Sequence, residues 1–268
     1  MRKQSGQTGQ SVVVGAMLLL GLLVIFLSWY QVTQVPVQNQ NAEAEFHDNV
    51  RLNMLELREK GYNSINNDEI NQVKINNKVN YPSWRLAGLQ DNIGSLVIED
   101  LGTSSVTISN ESPTVTSLPT NVSSIEYRTS YDERRESSFV FEYGSIFELN
   151  SNNNNSIQGS QQFIRDNNIY LFSFSSDFRA IQSENPSFVI VPNQSVQKTT
   201  ITGDTDTNGD KLDIVLEFKT QVGFDLWESM LLNEEHIINM YKSGDYVVVV
   251  LDGTETYDVY TGSANIEL

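Results

Sequence analysis

The residue types best suited to chemistry are gathered in one short stretch, GDTDTNGDKLD. Asp204, Asp206, Asn208, Asp210 and Asp213 there present carboxylate or amide oxygens at positions 1, 3, 5, 7 and 10 around Gly209. A hard cation needs several oxygen ligands at about 2.4 Å, and an EF-hand-like loop supplies them from positions 1, 3 and 5 with glycine at 6 to turn the chain. Position 12, where a bidentate acid would close such a loop, is Val215; Asp213 or Glu217 are the nearby substitutes. The stretch is read as a structural calcium loop or as a solvated acidic turn, because Asn-Gly-Asp is also turn chemistry.

Catalytic groups are sparse. The two histidines, His47 and His236, belong to no metal-ligand pair. His47 is expected on the polar side of a helix, and His236 at a helix end after Glu234 and Glu235. With no cysteine, the chain has no disulfide, thiolate metal centre, iron–sulfur cluster or cysteine nucleophile. It carries no nucleophile elbow, phosphate loop or dinucleotide fingerprint. Carboxylates are so abundant that no glycosidase-type pair stands out. The expectation is therefore no enzyme and no catalytic residue. Asn110, Asn121, Asn154 and Asn193 each open an Asn-x-Ser/Thr sequon and are candidate glycosylation sites.

The elements that must carry these residues divide sharply. The 268 residues hold 17 basic and 34 acidic side chains, a net charge of −17. Arg2 and Lys3 are the only charges before residue 31, leaving 15 basic against 34 acidic side chains beyond it, a net of −19. Such acidity opposes binding to nucleic-acid phosphate. Val12 to Tyr30, VVVGAMLLLGLLVIFLSWY, has no charge, and at 1.5 Å per residue it covers roughly 28 Å, close to the hydrocarbon thickness of a bilayer. Trp29 and Tyr30 sit where interfacial aromatics belong. Arg2 and Lys3 predict a cytoplasmic N-terminus and an extracellular body.

Pro36 is expected to end or kink the membrane helix. Phe46, Val50, Met54 and Leu57 recur every three or four residues and predict an amphipathic helix from Asn39 to Lys60 with Gly61 as its C-cap. That helix is either a free stalk or an element packed on its own domain. Short strands fit 93–99, 104–108, 122–129, 138–149, 169–176, 187–192, 195–201 and 211–219. Phe139, Phe141 and Tyr143 alternate onto one face as core, with Gly144 as a bulge. Residues 151–162, SNNNNSIQGSQQ, read as a polar loop and a place where two lobes would divide. A short helix over 225–233 carries Trp227 as its packing anchor. Asp252-Gly253-Thr254 signals a final hairpin. The fold class is mainly β: a long N-terminal transmembrane helix followed by an antiparallel sandwich-like extracellular head. The division is 1–9 basic leader, 10–36 hydrophobic helix, 37–61 amphipathic stalk and 62–268 acidic head.

The string GQSVVVGAMLLLGLLVIFLSWYQVTQVP, behind Gly6 and Gly9, resembles the class III signal peptide of archaeal type IV pilin-like and archaellin-like proteins, and is similar to the start of membrane-anchored surface proteins of haloarchaea. The resemblance implies a prepilin peptidase as partner, cutting between Gly9 and Gln10 or, as the alternative, after Gly6, and a retained helix that lies in membrane lipid or bundles with other pilins in a filament. Many pilin-like proteins keep an acid a few residues after the cut; here Gln10-Ser11 is followed by Val12. The function implied is a structural or adhesive surface protein, a filament subunit or minor pilin. The alternatives are a membrane-anchored binding module with a calcium-like site and an anchored hydrolase.

Overall fold

The computed structural model describes residues 6–82, 93–108, 120–131, 134–152, 154–203, 213–231 and 234–268. Its first element is a single helix, α1 (Gly6–Asn67), of 62 residues and about 93 Å. Pro36 lies inside it and does not end it. The missing N–H removes one helical hydrogen bond, a penalty of about 3 kcal/mol. Beyond that point the helix is held by the packing of Phe46, Val50, Met54 and Leu57 on the head. Gly61 is no cap either. A Cβ at Gly61 would lie 2.7 Å from the Phe174 ring, so the glycine lets the helix approach that ring and run one and a half turns further. The helix ends in a Schellman motif, with Asp68 at φ 58° and the Glu69 N–H donating to the Ser64 carbonyl at 3.3 Å.

Two sheets complete the head. One runs in the order β1 (Asn71–Lys74), β10 (Ser187–Thr202), β14 (Thr256–Glu267), β8 (Asn168–Ser176) and β7 (Ile164–Arg165). The other runs β12 (Ile237–Ser243), β13 (Tyr246–Leu251), β11 (Ile214–Lys219), β2 (Ser95–Ile108), β3 (Thr120–Arg128), β4 (Ser137–Glu142), β5 (Ser145–Asn150) and β6 (Ser156–Gln158), with β9 (Ala180–Ile181) beside β2. Pairing among the described strands is antiparallel except between β14 and β8, which run parallel. The fold is thus mainly β, sandwich-like, on one long apolar helix. The helix α2 (Phe224–Leu231) packs beneath the second sheet through Trp227 and Leu231.

Buried side chains form two clusters. The first joins Phe46, Val50, Met54, Leu57 and Ile65 of α1 to Phe139, Phe141, Phe174, Phe188 and Ile266. The second surrounds Trp227 with Tyr143, Phe147, Phe163, Phe218 and Val249. Each cluster draws on residues before and after 151–162. The helix over 37–61 is therefore a core element of the head, with Val50 and Met54 fully buried.

Several local expectations change. Segment 138–149 is two strands, because Tyr143 (φ 45°) and Gly144 (φ 76°) form the two-residue turn between β4 and β5. Positive φ at both positions matches the right-handed twist of the flanking strands. Tyr143 is thereby sent into the second cluster while Phe139 and Phe141 fill the first. Part of the polar stretch 151–162 is β6, paired with β5. The strands on either side of residues 204–212, β10 and β11, belong to different sheets and do not pair as a hairpin. Asp252-Gly253-Thr254 likewise carries the chain from β13 in one sheet to β14 in the other. Its turn chemistry is real, since Asp252 Oδ1 accepts from the Thr254 N–H at 2.8 Å and hydroxyl at 2.7 Å. A sequence turn signal fixes the local bend, not the partner of the next strand.

Candidate functional site

The two ends of α1 meet two different surroundings. From Val12 to Trp29 every side chain is exposed, and none of the most apolar window is buried among the described residues; Val12 is 70 % exposed, Leu20 64 % and Trp29 54 %. A surface of this kind is unfavourable in water by roughly 25 cal/mol for each Å² of apolar area, which suits it to lipid or to a bundle of like helices. Gly9 and Gln10 lie in the first turns of the same helix.

Burial begins almost at once beyond the aromatic pair. Val35, Asn39, Glu43, Phe46, Val50, Met54, Leu57 and Gly61 are the buried stripe, in steps of four, four and three residues. That spacing averages close to one helical turn, so the stripe stays on one face of a straight helix. Tyr30 and Val35 are about 8 Å apart along the axis, so the head starts directly beside the end of the apolar segment. Glu43, fully buried, accepts from the Tyr81 hydroxyl at 2.7 Å and the Arg134 N–H at 2.8 Å. Its carboxylate ties two loops to the base of the helix.

His47 is not on the solvent side. Its Nε2 lies 3.0 Å from Glu148 Oε1, and its ring sits 5.0 Å from that of Phe139. Glu148 also accepts from Asn150 Nδ2 (3.3 Å), Ser156 Oγ (3.2 Å) and Gln158 Nε2 (2.8 Å). Both carboxylate oxygens are occupied by the protein's own donors, so the pair joins α1 to the β5–β6 hairpin. His236 stands in a turn before β12, edge-on to Tyr257 at 6.3 Å.

Sequence reasoning missed a third arrangement, around Glu142. This carboxyl, at the end of β4, is fully buried. It accepts from the Thr220 hydroxyl at 2.5 Å and the Gln221 N–H at 2.8 Å, and Thr220 Oγ1 accepts from Trp227 Nε1 at 2.8 Å. The only prior signal was a glutamate inside an aromatic run, FVFEYGSIF. Burial pushes its pKa from the ordinary 4.5 up to about 7, against the pull of its hydrogen-bond donors. The folded state therefore holds this proton more tightly than the unfolded chain. The resulting stability is full below pH 4.5 and is lost as pH rises through 7, a contribution of up to about 3 kcal/mol. Glu142→Gln should flatten the pH dependence of the unfolding free energy between pH 5 and 8 relative to the parent, measured by denaturant titration. Parallel pH profiles would contradict this.

The remaining expected sites divide by position. Asp204, Asp206, Asn208 and Asp210 lie outside the described residues, as does Asn110. Asp213 is half-buried just before β11. Among the described residues no group of three or more His, Asp or Glu side chains converges to hold a metal ion. The backbone of Asn121 is in β3, paired with Thr103. Asn154 and Asn193 are exposed. On the second sheet, Glu126, Arg128, Ser138 and Asn150 line an open polar cleft of about 340 Å³. Arg128 is held there by Glu126 at 2.7 Å. No family model matches the chain, and neither the curated proteins nor the solved structures compared with it give a match.

Proposed function

We propose that this chain is a pilin-like cell-surface protein, non-enzymatic, with a cytoplasmic N-terminus, an extracellular acidic head, and a structural or adhesive role as a filament subunit or minor pilin. One observation carries the reading: a single unbroken helix offers a bare apolar surface over Val12–Trp29 and becomes the core of a β-rich head from Val35 onward. Such a helix couples the head rigidly to whatever surrounds its first half, lipid before assembly and neighbouring helices after it. A Cβ built at Gly15 or Gly21 would meet nothing within 4 Å among the described residues outside the helix backbone, which leaves room for close helix approach. Cleavage between Gly9 and Gln10 by a prepilin peptidase would remove the Arg2 and Lys3 charges and free the apolar end to pack.

Sequencing the mature N-terminus in membrane and sheared-filament fractions tests this. The expected result is a chain starting at Gln10 and present in filaments. An uncut chain confined to the membrane as a monomer would contradict it. That outcome would favour the second reading, an anchored binding module using the polar cleft at Glu126 and Arg128, with the Asp204–Asp213 loop as a calcium brace.

A further inference from the structure

Strand β10 contains an irregularity that coincides with a sequon. Pro192 pairs with Ala264 and Gln194 with Ser263, which leaves Asn193 without a cross-strand partner. The ladder resumes only at Gln197 opposite Thr261, so Ser195 and Val196 together face Gly262. Two consecutive register shifts thus leave Asn193 and Ser195 out of the regular ladder on either side of the paired Gln194, and all three residues are exposed. A bulge re-aims a side chain and frees backbone that a regular strand would lock. The side chains of Asn193 and Ser195 make no hydrogen bond among the described residues.

The other sequons are situated differently. Asn121 lies in the ladder of β3. Asn154 is exposed at a turn, but its sequon hydroxyl, Ser156 Oγ, donates to Glu148 at 3.2 Å inside β6. Its own carbonyl accepts from Asn150 Nδ2 at 2.8 Å. A transferase must reach both the asparagine amide and the hydroxyl two residues on. Of the sequons at Asn121, Asn154 and Asn193, only the last presents a bulged, exposed triplet whose hydroxyl is not engaged.

We infer that Asn193 is a glycan acceptor on the surface of the head. The Asn193 amide nitrogen forms a bond to the anomeric carbon of a glycosyl phosphate carried on a membrane lipid. The bond from that carbon to the phosphate oxygen breaks, the lipid phosphate leaves, and the amide loses one proton to solvent. No oxidant or reductant is needed. This assignment rests on the head being outside the cell, as proposed above.

The experiment is peptide and intact-protein mass spectrometry on the full chain purified from its native host, alongside Ser195→Ala, Ser195→Thr and Ser156→Ala forms, with protease added outside whole cells in parallel. The expected result is a hexose-containing mass on the Asn193 peptide, lost in Ser195→Ala, kept in Ser195→Thr and unaffected by Ser156→Ala. Both Ser195 variants change an exposed side chain, so folding is unaffected. An unmodified Asn193 in a head that external protease cleaves overturns the inference and leaves the surface reading standing. A glycan on Asn154 with none on Asn193 also overturns it. A head that external protease cannot reach overturns the surface reading and the inference together.

Discussion

Met54→Asp should abolish the folded head while leaving the chain in the membrane. Met54 is fully buried in the stripe of α1, among Phe46, Val50, Leu57 and the aromatic residues of both sheets. The substitution removes a large apolar side chain and places an unpaired carboxylate where no donor waits. The combined loss is about 4 kcal/mol or more, a large part of the 5–15 kcal/mol that holds a typical domain together. Val12–Tyr30 is untouched, so membrane partitioning should not change. Leu52→Asp is the matched control, because Leu52 is 56 % exposed on the opposite face of the same helix. Thermal unfolding and limited proteolysis should show the cooperative transition lost in the first variant and kept within about 0.5 kcal/mol in the second. Equal behaviour of the two would mean that the helix is a free stalk.

Gly144→Ala should destabilise by about 3 kcal/mol or more, with partial rescue by a change in α1. A Cβ at Gly144 would overlap the Tyr62 hydroxyl and come within 2.9 Å of its Cζ. The residue also has φ 76°, a left-handed conformation that disfavours any side chain. Tyr62 itself is buried and its hydroxyl has no partner among the described residues. Tyr62→Phe alone should therefore be near neutral or stabilising, since it removes an unsatisfied polar group. Combined with Gly144→Ala it should recover the part of the steric loss caused by the hydroxyl, while the 2.9 Å approach to Cζ and the backbone share remain. Strict additivity in a denaturant double-mutant cycle would show that the helix and the β4–β5 turn are not in contact.

The long-range features of this fold were legible where one physical signal dominated. Val12–Tyr30 announces itself by the absence of charge, and Phe46, Val50, Met54 and Leu57 by helical spacing. Both stretches are helical and the first is left exposed, while packing of the second onto the head decides between the two uses that spacing alone left open. What remained hidden depends on contacts distant in sequence. Gly61 reads as a helix end because glycine commonly caps helices; only the Phe174 ring, more than a hundred residues away, explains its place inside the helix. Asp252-Gly253-Thr254 bends the chain as expected, yet the strands on either side pair elsewhere, because β14 is claimed by β10 and β8. His47 looked like a solvated residue until Glu148 on β5 supplied its partner. Glu142 gave no motif at all, since a lone acid in an aromatic run says nothing of a threonine and a tryptophan from the far end of the chain.

One helix is divided between two surroundings, bare and apolar before Tyr30 and built into the head from Val35. The absence of native cysteine permits a direct test. Single cysteines placed along α1 in the full chain, in native membranes, are challenged with a water-soluble maleimide. Cysteines at Leu18, Leu20 and Leu23 should be unreactive in the membrane and equally in mild detergent, whose apolar tails cover the same surface. Beyond Val35 reactivity should alternate with the helix face: high at Asn41, Asp48 and Leu52, absent at Val50, Met54 and Leu57 in both conditions. Uniform reactivity from residue 37 to 61 would contradict the account.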